Sequence, residues 1–501
     1  MLNRSRRLLV RVIAPALALA CCASCAKPAP PVSPDRITWF PYVFRANDGQ
    51  ALQTEFGRLK VLENRAAPAS KSIELAFVRI KSTSKNPGPP IILVAGGPGS
   101  SGIDMPRSTW FQSLPTLLPA GDVIALDQRG VGQSRPTLEC AETIDLALDA
   151  IRTRETYARE IREKARACAA YWRGQGIDLA AYNTESSADD IDEVRAALGA
   201  EKMVLIGGSY GSHLMLSTIR RHGDHVARAI LSGTEGPDHT IKLPSNTEKQ
   251  LDKIATAAAA DPKVGKLVPD FVGLVKIVLD RLEKAPATAE ATEPRTNRKV
   301  KVTVSKFDLQ LVTGQGLGSS AFIRQLPAAY YDMAHGDFTW LAQEILNRRG
   351  QPIGSAMGYQ VDCASGTSEE RVARIRREAG ETLLGDVEDF PIPDVCDAWM
   401  KRDLGPAFRS PIASAVPVLF FTGTLDGRTP PTNAEEIKAG FAHSAHIVVE
   451  NGTHSGKEVM FTLPATKEAV AAFLRGETIN STTAALPAWE FALPKTAAGP
   501  R

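Results

Sequence analysis

Three side chains in this sequence have the types and order needed to activate a hydroxyl group. Ser209 lies in Met203-Val204-Leu205-Ile206-Gly207-Gly208-Ser209-Tyr210-Gly211-Ser212, an apolar run that ends in Gly-x-Ser-x-Gly. A helix-compatible segment, His213 to Arg221, follows. This pattern predicts a strand, a tight turn carrying the serine, and a helix. Glycines two before and two after the serine leave room for strand and helix to close on each other. The hydroxyl would then stand at a helix N-terminus, where the dipole favours developing negative charge. A serine is a weak nucleophile until a base takes its proton, and the base in turn needs an orienting acid. In this arrangement the acid and then the histidine follow the serine along the chain. Asp426 follows the apolar run Val416 to Phe421, in Thr422-Gly423-Thr424-Leu425-Asp426-Gly427. His454 follows the strand-like Ala445 to Val449, at the end of Glu450-Asn451-Gly452-Thr453. Of the three histidines after Asp426, His443 and His446 precede or begin that strand, and only His454 lies beyond it.

Acyl transfer also needs donors for the oxyanion. One is expected from the backbone N–H of Tyr210 and the other from the loop after an earlier strand. Pro90 to Ala95 followed by Gly96-Gly97-Pro98-Gly99-Ser100-Ser101-Gly102 is that loop, with Gly97 as the donor. No Gly-Lys-Ser/Thr follows, which argues against a nucleotide P-loop.

Taken jointly, Gly96-Gly97-Pro98-Gly99, Asp127-Gln128-Arg129-Gly130-Val131-Gly132-Gln133-Ser134 and Gly207 to Ser212 resemble the prolyl aminopeptidase group of α/β-hydrolases. The similarity is closest to its secreted tripeptidyl-aminopeptidase-like branch. Asn183-Thr184, Ala188-Asp189-Asp190, Leu198-Gly199, Gly336-Asp337, Tyr359-Gln360-Val361-Asp362-Cys363 and Thr429-Pro430-Pro431 carry it further. The prolyl branch often has His before Gly-Gly-Pro-Gly; Ala95 stands here, which suits the tripeptidyl-like branch. The segment Leu231 to His239 matches neither branch. The resemblance spans roughly residues 37 to 475. It implies an α/β-hydrolase fold, a mostly parallel central sheet, with a helical cap inserted between the sixth and seventh core strands. It also implies release of residues or short peptides from free N-termini; the triad itself needs no cofactor, and no metal is expected.

A carboxylesterase or lactonase uses the same triad, and a non-catalytic relative could use the scaffold for binding alone. A binding relative usually loses Ser or His; all three triad residues are present here. A peptidase acting on free N-termini needs a negative site for the substrate ammonium, and Glu235 and Asp362 are the candidates. The number of residues released and the oligomeric state stay open.

The elements that must position these residues follow from the hydrophobic runs. Strands are expected at 37–44, 57–62, 73–80, 91–94, 123–126, 204–206, 227–231, 418–421 and 446–449. The core comprises 37–236 and 412–480. The connection 237–411 is far too long for a crossover and forms the cap, with helices at 251–259, 271–282 and 339–347. Within it, 284–298 reads as an exposed loop, and 481–501 reads as a loosely packed tail. The basic stretches Arg152 to Arg166 and Arg371 to Arg377 read as solvated helix faces.

The 501-residue chain has a net charge of +3, so nothing points to nucleic acid. Residues 1–26 read as a bacterial secretory signal: Arg4, Arg6, Arg7 and Arg11 precede a short apolar stretch, Val12 to Ala20. Cys21 and Cys25 are lipidation candidates that would tether the protein to a membrane, with plain cleavage near Ala23 or Ala26 as the alternative. A Pro-rich linker, 27–36, follows. The expected location is periplasmic, membrane-anchored by lipid, or secreted. Cys140, Cys168, Cys363 and Cys396 remain, and an even number in an exported protein suggests disulfides. Four cysteines allow three pairings; the sequence-local one, Cys140–Cys168 and Cys363–Cys396, is the expectation. No Cys/His spacing resembles a zinc site.

Overall fold

A computed structural model describes residues 36–67, 69–399 and 402–496. The expected signal, nearly all of the expected linker, Cys21 and Cys25 lie outside the described residues. Ten strands form one sheet: β1 (Ile37–Arg45), β2 (Ala51–Leu62), β3 (Ser72–Ile80), β4 (Ile91–Val94), β5 (Val123–Asp127), β6 (Met203–Ser209), β7 (Val226–Thr234), β10 (Val418–Gly423), β11 (Ser444–Glu450) and β12 (Thr482–Ala485). Two more, β8 (Ala287–Thr292) and β9 (Lys299–Val304), pair only with each other. The main sheet runs β1-β2-β3-β5-β4-β6-β7-β10-β11-β12. Its first three strands are antiparallel, and β5 to β12 pair in parallel. The expected sixth core strand is β7 once the extra N-terminal strand is counted.

The central strands β4, β5 and β10 are buried along their whole length, as strands covered by helices on both faces must be. The chain leaves β4 for β5 on one side and returns to β6 on the other. The switch point is therefore at β4 and β6, and ligand chemistry in such sheets gathers in the crevice at the strands' carboxyl ends.

Between β7 and β10 the chain builds a second apolar core. Helices Pro244–Ala260, Phe271–Lys284, Lys306–Gly316, Leu326–Ala334 and Thr339–Arg348 bury Leu251, Phe271, Val275, Leu309, Tyr330 and Leu341 together. The three expected helices are present. The stretch 284–298 is largely exposed, as expected, but it is not all loop, because Ala287–Thr292 is a strand. β8 and β9 form a hairpin whose Ala291 and Val302 bury against helix Thr339–Arg348. Residues alternate along both strands, but in β8 the inward positions are only alanines, too small to mark a strand among the surrounding polar residues.

Two further expectations are corrected. Arg152 is not on a solvated face: it is 1% exposed and pairs at 2.8 Å with Asp308, a buried aspartate of the insertion. Helix Arg154–Gly174 is thereby fastened to the cap, with Arg154 on Asp386 and Asp394. The described part of the tail, 481–496, is not loose either. β12 pairs with β11, and Trp489 and Phe491 are buried in the cap core. Arg324 lies over the Trp489 ring at 4.7 Å, and Asp332 accepts from the backbone of Lys495 and Thr496. No helix among the described residues is long and apolar enough to cross a membrane.

Both expected disulfides are present, Cys140–Cys168 and Cys363–Cys396, at sequence separations of 28 and 33. Chain-entropy arguments assign loops of this size roughly 3–4 kcal/mol each. Replacing Cys363 and Cys396 together by Ala should lower the unfolding free energy by about 2–4 kcal/mol in denaturant titration. An unchanged midpoint would show that the bridge constrains nothing in the unfolded chain.

Candidate active site

The β6 strand delivers Ser209 with φ 55° and ψ −132°, one of three non-glycine residues with positive φ among those described. Helix Tyr210–His222 begins at the next residue. The turn is possible because its neighbours lack side chains. A Cβ on Gly207 would lie 2.6 Å from the Gly211 carbonyl oxygen. The glycine loop after β4 comes equally close: a Cβ on Gly96 would lie 2.8 Å from the Gly208 oxygen and 3.7 Å from the Tyr210 nitrogen. The Gly97 and Tyr210 segments expected to supply oxyanion donors are thus packed side by side beneath Ser209.

Asp426 lies three residues beyond β10 and is buried; His454 lies four residues beyond β11. His454 Nδ1 is 2.9 Å from Asp426 Oδ2. His454 and Ser209 line the same cavity, of about 840 Å³. His443 and His446 are not there: His446 is held by Thr422 at 2.7 Å and by Glu435. Burial alone would raise the Asp426 carboxyl. The adjacent His454 and hydrogen bonds from His454 and Thr429 outweigh it and hold the group below its ordinary value.

Thr429 was not visible as a site residue in sequence. Its N–H donates to Asp426 Oδ1 at 3.0 Å, and its hydroxyl donates to Asp426 Oδ2 at 2.7 Å. The same hydroxyl is 3.0 Å from His454 Nδ1. It therefore braces the contact between acid and imidazole. The available signal was Thr three residues after an Asp in a loop, a spacing at which side chain and backbone commonly bond.

The two candidate ammonium partners separate. Asp362 lines the cavity, where burial, with Glu235 and Asp389 nearby, raises its carboxyl well above the ordinary value despite Lys242 and Arg428. Glu235 does not line the cavity. It is buried behind it, with Lys242 Nζ 2.9 Å from Oε2 and His213 at 4.0 Å, so its charge is already compensated inside the protein. Sequence reading missed Glu388, Asp389, Lys242 and Arg428, which also line the cavity. Lys242 Nζ is 3.5 Å from Asp389, and Arg428 Nε is 3.2 Å from Glu388. Burial pushes the Glu388 carboxyl up to about 7, with Arg428 opposing and Asp389 assisting. Counting Glu235, this cluster holds four carboxyls against two cations.

The sequence matches the alpha/beta hydrolase fold family over residues 89–459. The chain belongs to that family. This hydrolase is 23% identical over 402 residues to the putative hydrolase YuaR of Escherichia coli K12, covering 76% of each chain. It is 30% identical over 189 residues to the serine protease Hip1 of Mycobacterium tuberculosis, covering 36% of each. It is 32% identical over 191 residues to the tripeptidyl aminopeptidase of Streptomyces coelicolor, covering 36% of this chain and 35% of the other. The matches to these last two span about a third of their length.

The Thr429 contacts generate a sharp expectation. Thr429→Val keeps the shape and removes the hydroxyl, so kcat should fall roughly tenfold, the worth of one hydrogen bond of about 1.4 kcal/mol. KM should hardly change, and Thr429→Ser should restore most of the rate in steady-state assays.

Proposed function

We propose that this hydrolase is an exported serine aminopeptidase that takes short peptides by their free N-termini. Ser209 Oγ attacks the scissile carbonyl while His454 takes its proton, and Asp426 stabilises the resulting imidazolium. The backbone N–H groups of Gly97 and Tyr210 serve the oxyanion. His454 then protonates the departing amine, and water, activated by the same imidazole, hydrolyses the acyl-enzyme on Ser209. None of these steps needs a cofactor. The two disulfides support export, because such bonds persist in oxidising compartments. The relatives named serine protease and tripeptidyl aminopeptidase support the peptidase reading.

The observation that carries the substrate class is the excess of carboxyls beside the nucleophile. Asp362, Glu388 and Asp389 share the cavity with Ser209, and Lys242 is already engaged by Glu235. No ion pair joins Asp362 to a described residue. A substrate ammonium supplies the missing positive charge, whereas a neutral ester leaves the carboxyls uncompensated.

Ser209→Ala should lower turnover by roughly 10³–10⁶ while circular dichroism stays native. On the wild type, N-acetylated peptides should react hundreds of times more slowly than free ones, since losing one member of a buried pair costs about 3–5 kcal/mol. Asp362→Asn should reproduce that loss on free peptides and spare simple acyl esters. Equal rates for free and acetylated peptides, with faster esters, would make the protein an esterase.

The Glu388 carboxyl sets a pH dependence. Its value in the folded protein, about 7, lies above the ordinary one, so it is neutral below that pH and charged above. KM for free-amine peptides should therefore fall as pH rises through about 7. It should rise again as the peptide amine loses its proton, at roughly 7.7–8.0. KM for acetylated substrates should lack the first limb, as should KM measured on the Glu388→Gln variant.

A further inference from the structure

A group of side chains on the opposite end of the nucleophile helix has no part in the chemistry above. Helix Thr184–Ala197 presents Asp189 and Asp192, one turn apart. Helix Tyr210–His222 ends on His222, and His225 closes the short turn that follows. One donor atom from each of Asp192, His222 and His225 lies within 4.8 Å of the others. All three side chains reach solvent.

The hydrogen bonds give these residues distinct roles. His222 Nε2 is 2.8 Å from Asp189 Oδ1. An imidazole donating there carries its proton on Nε2, which leaves the Nδ1 lone pair free. That Nδ1 faces Asp192 Oδ2 at 3.7 Å, too long for a hydrogen bond. With bonds of about 2.0–2.1 Å, two donors on a tetrahedral ion stand roughly 3.3–3.4 Å apart. The observed separation needs only a few tenths of an ångström of closure. His225 Nδ1 is hydrogen-bonded to the other Asp192 oxygen at 2.7 Å, so this imidazole binds an ion through Nδ1 only as that bond opens and its proton is released to solvent; the two imidazole rings lie within 9° of parallel.

Asp189 plays the part of the outer carboxylate that fixes a metal-binding histidine in orientation and tautomer. It is itself clamped by Arg221, at 2.8 and 2.9 Å. Arg195 holds Asp192 Oδ1 at 2.7 Å and leaves Oδ2 to face the imidazole. Two imidazoles and one carboxylate suit zinc and its neighbours; calcium and magnesium prefer an all-oxygen set.

We propose that Asp192, His222 and His225 form a binding site for a zinc-type divalent transition metal, oriented by Asp189. The ion would brace helix Tyr210–His222 against helix Thr184–Ala197. The thirteen-residue helix separates the site from Ser209 by about 20 Å, so the ion is structural and takes no part in hydrolysis. Asp192 lies 30 and 33 residues before the two histidines, which are themselves three apart, so the sequence brings the histidines together but not the carboxylate.

The test uses the untagged full chain, stripped with chelator, with Co²⁺ and Zn²⁺ as probes. One equivalent of Co²⁺ should produce ligand-field absorption of a site with nitrogen and oxygen donors. Zn²⁺ in hundredfold excess over its Kd should raise Tm by about 2–5 °C, and Mg²⁺ and Ca²⁺ should not. His222→Ala with His225→Ala should abolish both responses. His225→Gln, which keeps a polar side chain in case the double variant folds poorly, should weaken binding at least about tenfold, and Asp189→Asn roughly 10–100-fold. Turnover should be unchanged by Zn²⁺ occupancy. Absence of the Co²⁺ spectrum, its persistence in the double variant, a thiolate charge-transfer band in its place, or an equal response to Mg²⁺ would overturn the proposal.

Discussion

Ser209 is held in a backbone conformation that a non-glycine residue rarely adopts. A conformation of this kind costs on the order of 1–3 kcal/mol and persists only where its surroundings leave no alternative. Those surroundings account for much of the architecture. The Gly96 loop must approach to van der Waals contact on one side, and Gly207 and Gly211 must meet on the other. Ser212 then ties the turn to the chain beyond β7, donating to the Ser209 carbonyl at 2.6 Å and accepting from the Glu235 N–H at 2.8 Å. The order β4-β6-β7 at the centre of the sheet is the arrangement that brings these three segments together.

Charge is arranged on the opposite logic in scaffold and cavity. Arg129 is fully buried and completely answered: Asp190 takes two of its nitrogens at 2.7 Å, and the carbonyls of Glu63 and Ala181 take a third. Arg152 and Asp308 repeat the pattern where the cap meets the core. Pairs of this kind add little net stability, but leaving one partner alone is costly, so they fix which segments can be neighbours. The cavity tolerates the imbalance that the scaffold avoids, with the Asp362 and Glu388 carboxyls pushed above their ordinary values by burial and by neighbouring carboxylates.

What could be read from the sequence was what local pattern dictates. Ser209, Asp426 and His454 each follow an apolar run that can only be a buried strand, and the strand ends found in the structure lie within a few residues of those expected. The glycine loop was legible for the same reason. The acidic lining was not, because Glu388 and Asp389 sit in Asp386 to Val395, a stretch without periodicity whose place is set by the packing of the cap. Glu235 shows the converse limit. Its position just past a core strand was correct, but its pairing with Lys242, seven residues on, depends on how the intervening chain turns back. Arg152 was misjudged because its partner lies 156 residues away. The hairpin at β8 and β9 was missed because β8 turns only alanines inward, and the strap after β12 because it is anchored by only a few apolar side chains, Trp489 and Phe491.

That strap bears on the order in which the molecule can be finished. The loop carrying His454 is held from behind by residues synthesised after it: Trp489 Nε1 donates to the Asn451 carbonyl at 3.0 Å, and Asn451 Nδ2 donates to the Leu486 carbonyl at the same distance. The same segment then crosses to Arg324 and Asp332 in the cap. A growing chain folds from its N-terminal side, so Ser209 and its turn can form long before Asp426 and His454 emerge. The loop bearing the base gains these two supports only when residues beyond 482 have docked. It is thereby supported by residues that are made after it.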